Sequence, residues 1–205
     1  SEDVLAAIKA INKLGIKTIF KKNLCKIYGK NIDGYRFRKN ITINAQNSGT
    51  LGRLILGLLI NSPYPIKLIG DKSLSKRDFK RISDPLSKFG SKFKLRNKKN
   101  LPLTLYGSNN LKPIKYLENK GSAQCKSSVI FGAMRTNGTT YIKAKKSRNH
   151  SELLCKYLNL PIKIKSTKNY DLIEVKKVKK IKTLNYKIPS DISSSSFFIV
   201  LTALS

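Results

Sequence analysis

The stretch Asn47-Ser48-Gly49-Thr50-Leu51-Gly52-Arg53 returns in altered form as Ser122-Ala123-Gln124-Cys125-Lys126-Ser127-Ser128. Aligning Asn47 with Ser122 gives an offset of 75, and aligning Ser75 with Ser147 gives 72. Self-similarity at that period marks a supersecondary unit used more than once, so the chain is a small array of modules rather than one irregular domain.

Periodicity and punctuation define the module. Over 50–60, Leu51, Leu54, Ile55, Leu56, Leu58, Leu59 and Ile60 leave almost no polar face, which predicts a helix inside a core. That run is far short of the ~20 apolar residues a bilayer requires, and Arg53 interrupts it, so no membrane partner is expected. A strand at 66–69 follows and Gly70-Asp71 breaks it. A second helix is predicted from Ser75, with Phe79, Ile82, Leu86 and Phe89 at helical spacing and Gly90 as its stop. Strands at 91–95 and 101–106 close a unit that reads helix, strand, helix, strand, strand.

The next copy keeps the order, with helices at 125–136 and 147–160 and strands at 139–144, 162–165 and 172–175. Residues 1–14 match the second helix of the unit, and 18–20 with 25–28 match its strands. The expected division is therefore a partial repeat at 1–46, repeats at 47–121 and 122–186, and the truncated start of a second domain at 187–205. The chain is expected to begin partway through a longer protein, because Ser1 is a good helix N-cap and no Met precedes it.

With 40% hydrophobic residues the chain can build a sizeable core. Its net charge of +31 suggests phosphate binding of the kind that serves nucleic acids. Yet the lysines are spread over helices, strands and loops, with only short clusters such as Lys98-Lys99 and Lys176-Lys177, and the aromatic residues form no stacking group. A compositional bias is the plainer account, and no nucleic-acid partner is expected. Cys25, Cys125 and Cys155 have neither metal spacing nor an even count for a disulfide framework, and His150 is the only histidine. These residues predict a reducing cytoplasm and no metal or cofactor.

Charge placement at helix starts is more informative. Glu2 and Asp3 open the first predicted helix, as its dipole prefers, but the corresponding positions of the next copies carry Lys76-Arg77 and Arg148. Either those cations point into water or a bound anion compensates them. Asn47, Ser48, Gly49 and Thr50 open a buried helix with free backbone N–H groups and small polar side chains; Ser122, Ala123 and Gln124 present a similar surface. Capping alone accounts for one such turn, but not for two turns each paired with a basic segment.

These segments resemble the 5-enolpyruvylshikimate-3-phosphate synthase family. Asn47-Ser48-Gly49-Thr50 with Arg53 is similar to that family's Asn-Ser/Ala-Gly-Thr helix start, and Gly70-Asp71-Lys72-Ser73-Leu74-Ser75-Lys76-Arg77 to its Gly-Asp-x-Ser-Leu-x-x-Arg segment. Gly121-Ser122-Ala123-Gln124-Cys125-Lys126-Ser127 resembles its Gly-Ser-Ala-Gln-x-Lys-Ser, and Ser147-Arg148-Asn149-His150-Ser151-Glu152 its Thr/Ser-Arg-Asp-His-Thr-Glu. Pro189-Ser190-Asp191-Ile192-Ser193-Ser194 is similar to its Pro-Gly-Asp-x-Ser-Ser. Asp78, Phe79, Asn149 and Ser190 depart from the family pattern without removing an anion contact.

The resemblance implies an inside-out α/β barrel of α+β repeats, helices within and sheets without, in a two-domain enzyme with its site between the domains. It implies transfer of the enolpyruvyl group of phosphoenolpyruvate to the 5-hydroxyl of shikimate 3-phosphate, by addition and elimination, in a monomeric cytoplasmic enzyme of aromatic amino-acid biosynthesis. Asn47, Gly49, Arg77 and Gln124 would hold phosphoenolpyruvate. Ser122, Ala123, Gln124, Ser147 and Arg148 would hold shikimate 3-phosphate. The general base would lie beyond Ser205, so this chain alone is expected to be inactive. Two rival readings are a sister transferase acting on UDP-N-acetylglucosamine, whose catalytic cysteine context is not visible around the three cysteines, and a basic nucleic-acid-binding module.

Overall fold

The computed structural model describes residues 1–21, 24–37, 41–188, 200 and 202. The Pro189–Ser194 motif and the end of the chain from 203 lie outside the described residues.

Helix α1 (Glu2–Lys13) opens with Glu2 and Asp3 at its positive end, where their charge is favoured, and buries Ala6 and Ala10. The antiparallel hairpin β1 (Thr18–Lys21) and β2 (Leu24–Ile27) follows. The first complete unit then runs β3 (Ile41–Asn44), α2 (Gly49–Leu58), β4 (Ile66–Ile69), α3 (Lys72–Ser75), α4 (Lys80–Ser87), β5 (Lys92–Arg96) and β6 (Asn100–Tyr106). The second runs β7 (Lys115–Glu118), α5 (Ala123–Ala133), β8 (Thr139–Lys145), α6 (His150–Tyr157), β9 (Ile162–Ser166) and β10 (Tyr170–Lys176). Their sheets have matching orders, β3-β4-β6-β5 and β7-β8-β10-β9, in which only the first pair is parallel.

The helix-strand-helix-strand-strand order holds in both units, but each opens with an additional strand, β3 or β7, that the expected unit lacks. A four-residue strand such as Ile41-Thr42-Ile43-Asn44 is too short for alternation to stand out, and its parallel partner β4 is reached only after the α2 crossover. A second difference concerns 72–87. Instead of one helix from Ser75, Asp71 caps the single turn α3, and Asp78 Oδ1 accepts the Lys80 N–H at 2.8 Å as α4 begins. In the second unit the helix expected from Ser147 begins at His150.

Helices α2 and α5 form the centre. Almost every side of α5 is covered, Cys125 through Ile130 being buried without a break. The two helices touch backbone to backbone: a Cβ on Gly57 would stand 2.1 Å from the Ser128 carbonyl oxygen, so only glycine allows that approach. Ser128 Oγ donates to the Arg53 carbonyl at 2.9 Å across the same seam. Sheet residues Ile66, Leu68, Leu103 and Leu105 in one unit and Ile142, Ala144, Ile173 and Val175 in the other face these helices. The alternating burial of β8, with Tyr141, Lys143 and Lys145 exposed, puts the other sheet face in water. Helices lie inside and sheets outside, and both central helices point their N-termini to one pole.

Among the described residues no helix is long and apolar enough to cross a membrane.

Candidate functional site

The pole is built first from helix caps. Ser48 caps α2 by accepting the Leu51 N–H at 3.2 Å, and Ser122 caps α5 by accepting the Cys125 N–H at 3.3 Å. Each cap satisfies a single first-turn donor. The N–H groups of Gly49 and Thr50 in α2, and of Ala123 and Gln124 in α5, begin helices and have no intrahelical acceptor. Two positive helix ends thus lie side by side, a surface suited to anions.

Asn47 is not the cap. It is exposed, and its Nδ2 donates to Asp71 Oδ2 at 2.5 Å, while Asp71 Oδ1 accepts the Leu74 N–H at 2.7 Å. The Asn47 hydrogen bond, and after it the Leu74 N–H, holds the Asp71 carboxyl below its ordinary value. Asn47 therefore ties the loop before α2 to the loop before α3.

A side-chain bridge joins the two helix ends. Gln124 Oε1 accepts from Arg53 Nη1, and Gln124 Nε2 donates to Thr50 Oγ1 at 2.9 Å. Arg53 lies over the Phe79 ring, 5.6 Å from its centroid, within cation–π range. A Cβ on Gly49 would stand 3.0 Å from Arg53 Nη1, so a larger residue there would press on the guanidinium. Burial pushes the Arg53 pKa down; Cys125 opposes this, and the charges of Arg77 and Arg81 push it further down. Arg53 stays charged near neutral pH all the same, because arginine starts so high. Three guanidinium groups share the neighbourhood of two positive helix ends, and an anion would relieve their repulsion.

Arg77 is exposed and lies between α3 and α4. The expected strain of a cation inside a first helical turn does not arise: Lys76 is the C-cap of α3, where positive charge is tolerated, and Arg77 precedes the cap of α4. Asn100 Nδ2 donates to the Lys76 and Arg77 carbonyls at 2.9 and 3.2 Å, which fixes this loop while leaving the Arg77 side chain at the surface.

In the second unit Arg148 is exposed just before Asn149, the N-cap of α6, and the Ser147 hydroxyl is buried without a hydrogen-bond partner. The segment lies against the approach to α5, since a Cβ on Gly121 would stand 3.5 Å from the Lys146 carbonyl oxygen. Buried Glu118 shapes that approach by accepting from the Lys120 and Ser122 N–H groups at 3.1 and 3.0 Å.

The structure joins Gly49's helix end to Ser122, Ala123 and Gln124, sets Arg77 within electrostatic range of Arg53 and Asp71, and lays Ser147 and Arg148 beside the Gly121 turn. Arg53 and Glu118 are additional members of the site, beyond the residues expected from its motifs. Arg53 stands four residues after Gly49, on the same helix face, and that spacing was its available signal. Among the described residues no group of three or more His, Cys, Asp and Glu is placed to hold a metal ion. Two concavities lie elsewhere. One of about 740 Å³ includes Tyr35, Asn61, Tyr64 and Arg135 near the C-terminal ends of α2 and α5, and one of about 710 Å³ lies on the second sheet; neither is lined by a candidate residue.

Two α/β repeats present adjacent helix N-termini and arginines at one pole of a repeat-built α/β fold, a face whose charge suits anions. The model of the EPSP synthase (3-phosphoshikimate 1-carboxyvinyltransferase) family matches residues 1–205, and the chain belongs to that family. It is 38% identical over 206 residues to the 3-phosphoshikimate 1-carboxyvinyltransferase of Caldicellulosiruptor saccharolyticus, covering all of this chain and 47% of that protein. It is 34% identical over 200 residues to the protein of the same name from Streptococcus mutans, covering 97% of this chain and 46% of the relative. An EPSP synthase structure from Acinetobacter baumannii superposes with a TM-score of 0.86 at 30% identity, over 98% of this chain and 44% of that one. The chain spans about half the length of the relatives it matches.

Proposed function

We propose that this chain supplies one face of the active site of a 3-phosphoshikimate 1-carboxyvinyltransferase, in which the enolpyruvyl group of phosphoenolpyruvate passes to the 5-hydroxyl of shikimate 3-phosphate and phosphate leaves. The observation that carries the reading is the Arg53–Gln124–Thr50 bridge, which sets the two helix ends beside each other. Two phosphorylated, carboxylated substrates that must react with each other need two anion sites in contact, and Gln124 stands where they meet.

On this reading Asn47, Gly49 and Arg77 hold phosphoenolpyruvate, with Arg77 gripping a carboxylate or phosphate as a fork. Ser122, Ala123, Ser147 and Arg148 hold shikimate 3-phosphate, and Gln124 faces both. These donors are held by caps and packed helices, so they need little rearrangement as charge shifts during addition and elimination. None of them is a proton donor or acceptor suited to the 5-hydroxyl, and the acid and base come from the remainder of the protein. Residues 1–186 make up most of one domain in this assignment, and 187–205 lead into the other. The enzyme is a cytoplasmic monomer that uses no metal or cofactor; the free thiols of Cys25, Cys125 and Cys155 suit a reducing compartment.

Titration calorimetry of the chain with shikimate 3-phosphate, phosphoenolpyruvate and UDP-N-acetylglucosamine tests the assignment. Shikimate 3-phosphate is expected to bind, and Arg148→Ala to weaken it about tenfold to a hundredfold, the value of a charge-assisted contact. Binding of UDP-N-acetylglucosamine without shikimate 3-phosphate would assign the chain to the sister reaction.

A further inference from the structure

Lys126 and Glu152 belong to two of the motifs quoted above, yet neither can touch a substrate. Lys126 Nζ and Glu152 Oε1 are 2.5 Å apart, and the side chains are 0% and 3% exposed. The contact is an ion pair without aligned hydrogen bonds: the ammonium and both carboxylate oxygens lack a partner of good geometry. Such a pair is a poor source of stability, because removing both charges from water costs about as much as their attraction returns, and apolar side chains of the same volume would hold two helices at least as well.

Its position suggests what it does instead. Lys126 is one turn into α5, its N–H bonded to the Ser122 carbonyl at 3.0 Å, so it lies directly behind Ser122, Ala123 and Gln124. Glu152 is in the first turn of α6, just behind Ser147 and Arg148. Beside the pair, Ser127 Oγ donates to Ser151 Oγ at 2.8 Å, a second link between the same two helix starts. In front of it, the Gly121 turn lies against the Lys146 carbonyl. The attraction of two buried charges depends steeply on their separation and direction, whereas an apolar contact tolerates sliding.

We propose that the buried Lys126–Glu152 pair is a positioning device that fixes the register between the Ser122–Gln124 helix end and the Ser147–Arg148 segment, the two parts of the shikimate 3-phosphate site. This rests on the functional reading above. Lys126 and Glu152 are positioning residues that act by holding Arg148 in register with the α5 N-terminus.

The test replaces both charges with apolar groups of similar size, Lys126→Met with Glu152→Leu, and measures shikimate 3-phosphate affinity by calorimetry alongside the melting temperature. The double variant is expected to melt at or above the wild-type temperature while its Kd rises about tenfold. A purely structural role would move stability and affinity together. In an Arg148→Ala background the same double variant is expected to change Kd less than twofold, because the group it positions is gone. Wild-type affinity in the double variant, or an equal loss in both backgrounds, overturns the proposal. If the double variant does not fold, Glu152→Asp decides: it keeps the charge but shortens the reach, and is expected to weaken binding severalfold, with unchanged affinity counting against positioning. A wild-type chain that does not bind shikimate 3-phosphate refutes the functional reading and takes the proposal with it, a result distinct from binding that ignores the pair.

Discussion

Gly57→Ala sets two effects of opposite sign against each other at the seam between α2 and α5. Helix propensity alone favours the substitution by about 1 kcal/mol, since alanine loses less backbone entropy than glycine. Packing opposes it. The new Cβ would stand 2.1 Å from the Ser128 carbonyl oxygen and 2.9 Å from its carbon, and contacts under 3.0 Å essentially do not occur, so the backbones must part by roughly 1 Å. That movement stretches the 2.9 Å bond from Ser128 Oγ to the Arg53 carbonyl beyond useful range, a loss of about 1 kcal/mol. Overpacking adds about 1–3 kcal/mol. The net is a destabilisation of about 2 kcal/mol, or a fall in Tm of roughly 4–8 °C for a chain of this size. Differential scanning calorimetry reads this directly, with Gly29→Ala as a control, because nothing lies within 4 Å of a Cβ there. A variant that melts at or above the wild-type temperature would refute the close approach of α2 and α5, and with it the placement of the two helix ends.

Three further outcomes follow from local chemistry. Burial alone would raise the Asp171 pKa, but the hydrogen bonds from Lys146 at 2.8 Å and Ser166 at 2.7 Å, with the Lys146 charge, leave it lowered. A lowered carboxylate pKa contributes stability above the unfolded value near 4 that is lost as pH falls through the folded one, so wild-type Tm should drop below about pH 4 more steeply than that of Asp171→Asn. Ser122→Ala removes the α5 cap and should cost about 1 kcal/mol in a denaturant melt, with no loss if the hydroxyl does not cap. Cys25 is exposed whereas Cys125 and Cys155 are buried, and burial, aided by Glu152, pushes the Cys155 thiol up to about 11; a thiol reagent near pH 8 should therefore label Cys25 rapidly and the other two only on unfolding.

Much of the architecture was readable along the chain because it depends on short-range rules. The apolar run after Thr50 and the spacing of Phe79, Ile82 and Leu86 report helices that bury one or all faces, and Ser122 reports a cap, from residues within a few positions of each other. What escaped was short or non-local. Strands β3 and β7 are four residues long and acquire meaning only from parallel partners beyond a crossover helix. At the break between α3 and α4, Asp71 caps α3 and Asp78 accepts the Lys80 N–H in the turn before α4, local hydrogen bonds that compete with the single apolar stripe pointing to one helix.

The same division applies to the site. The repeat, the polar helix starts at 47–50 and 122–124, the basic segment that follows each and, through the motifs, membership of the EPSP synthase family are all legible along the chain, since each is a property of a contiguous segment. That Gln124 joins Arg53 to Thr50, that Asn47 serves Asp71 rather than a cap, and that Lys126 and Glu152 meet away from water emerges only in the packed fold. Those contacts link groups from separate segments, and their geometry is set by how closely α2, α5 and α6 pack, which no local pattern encodes.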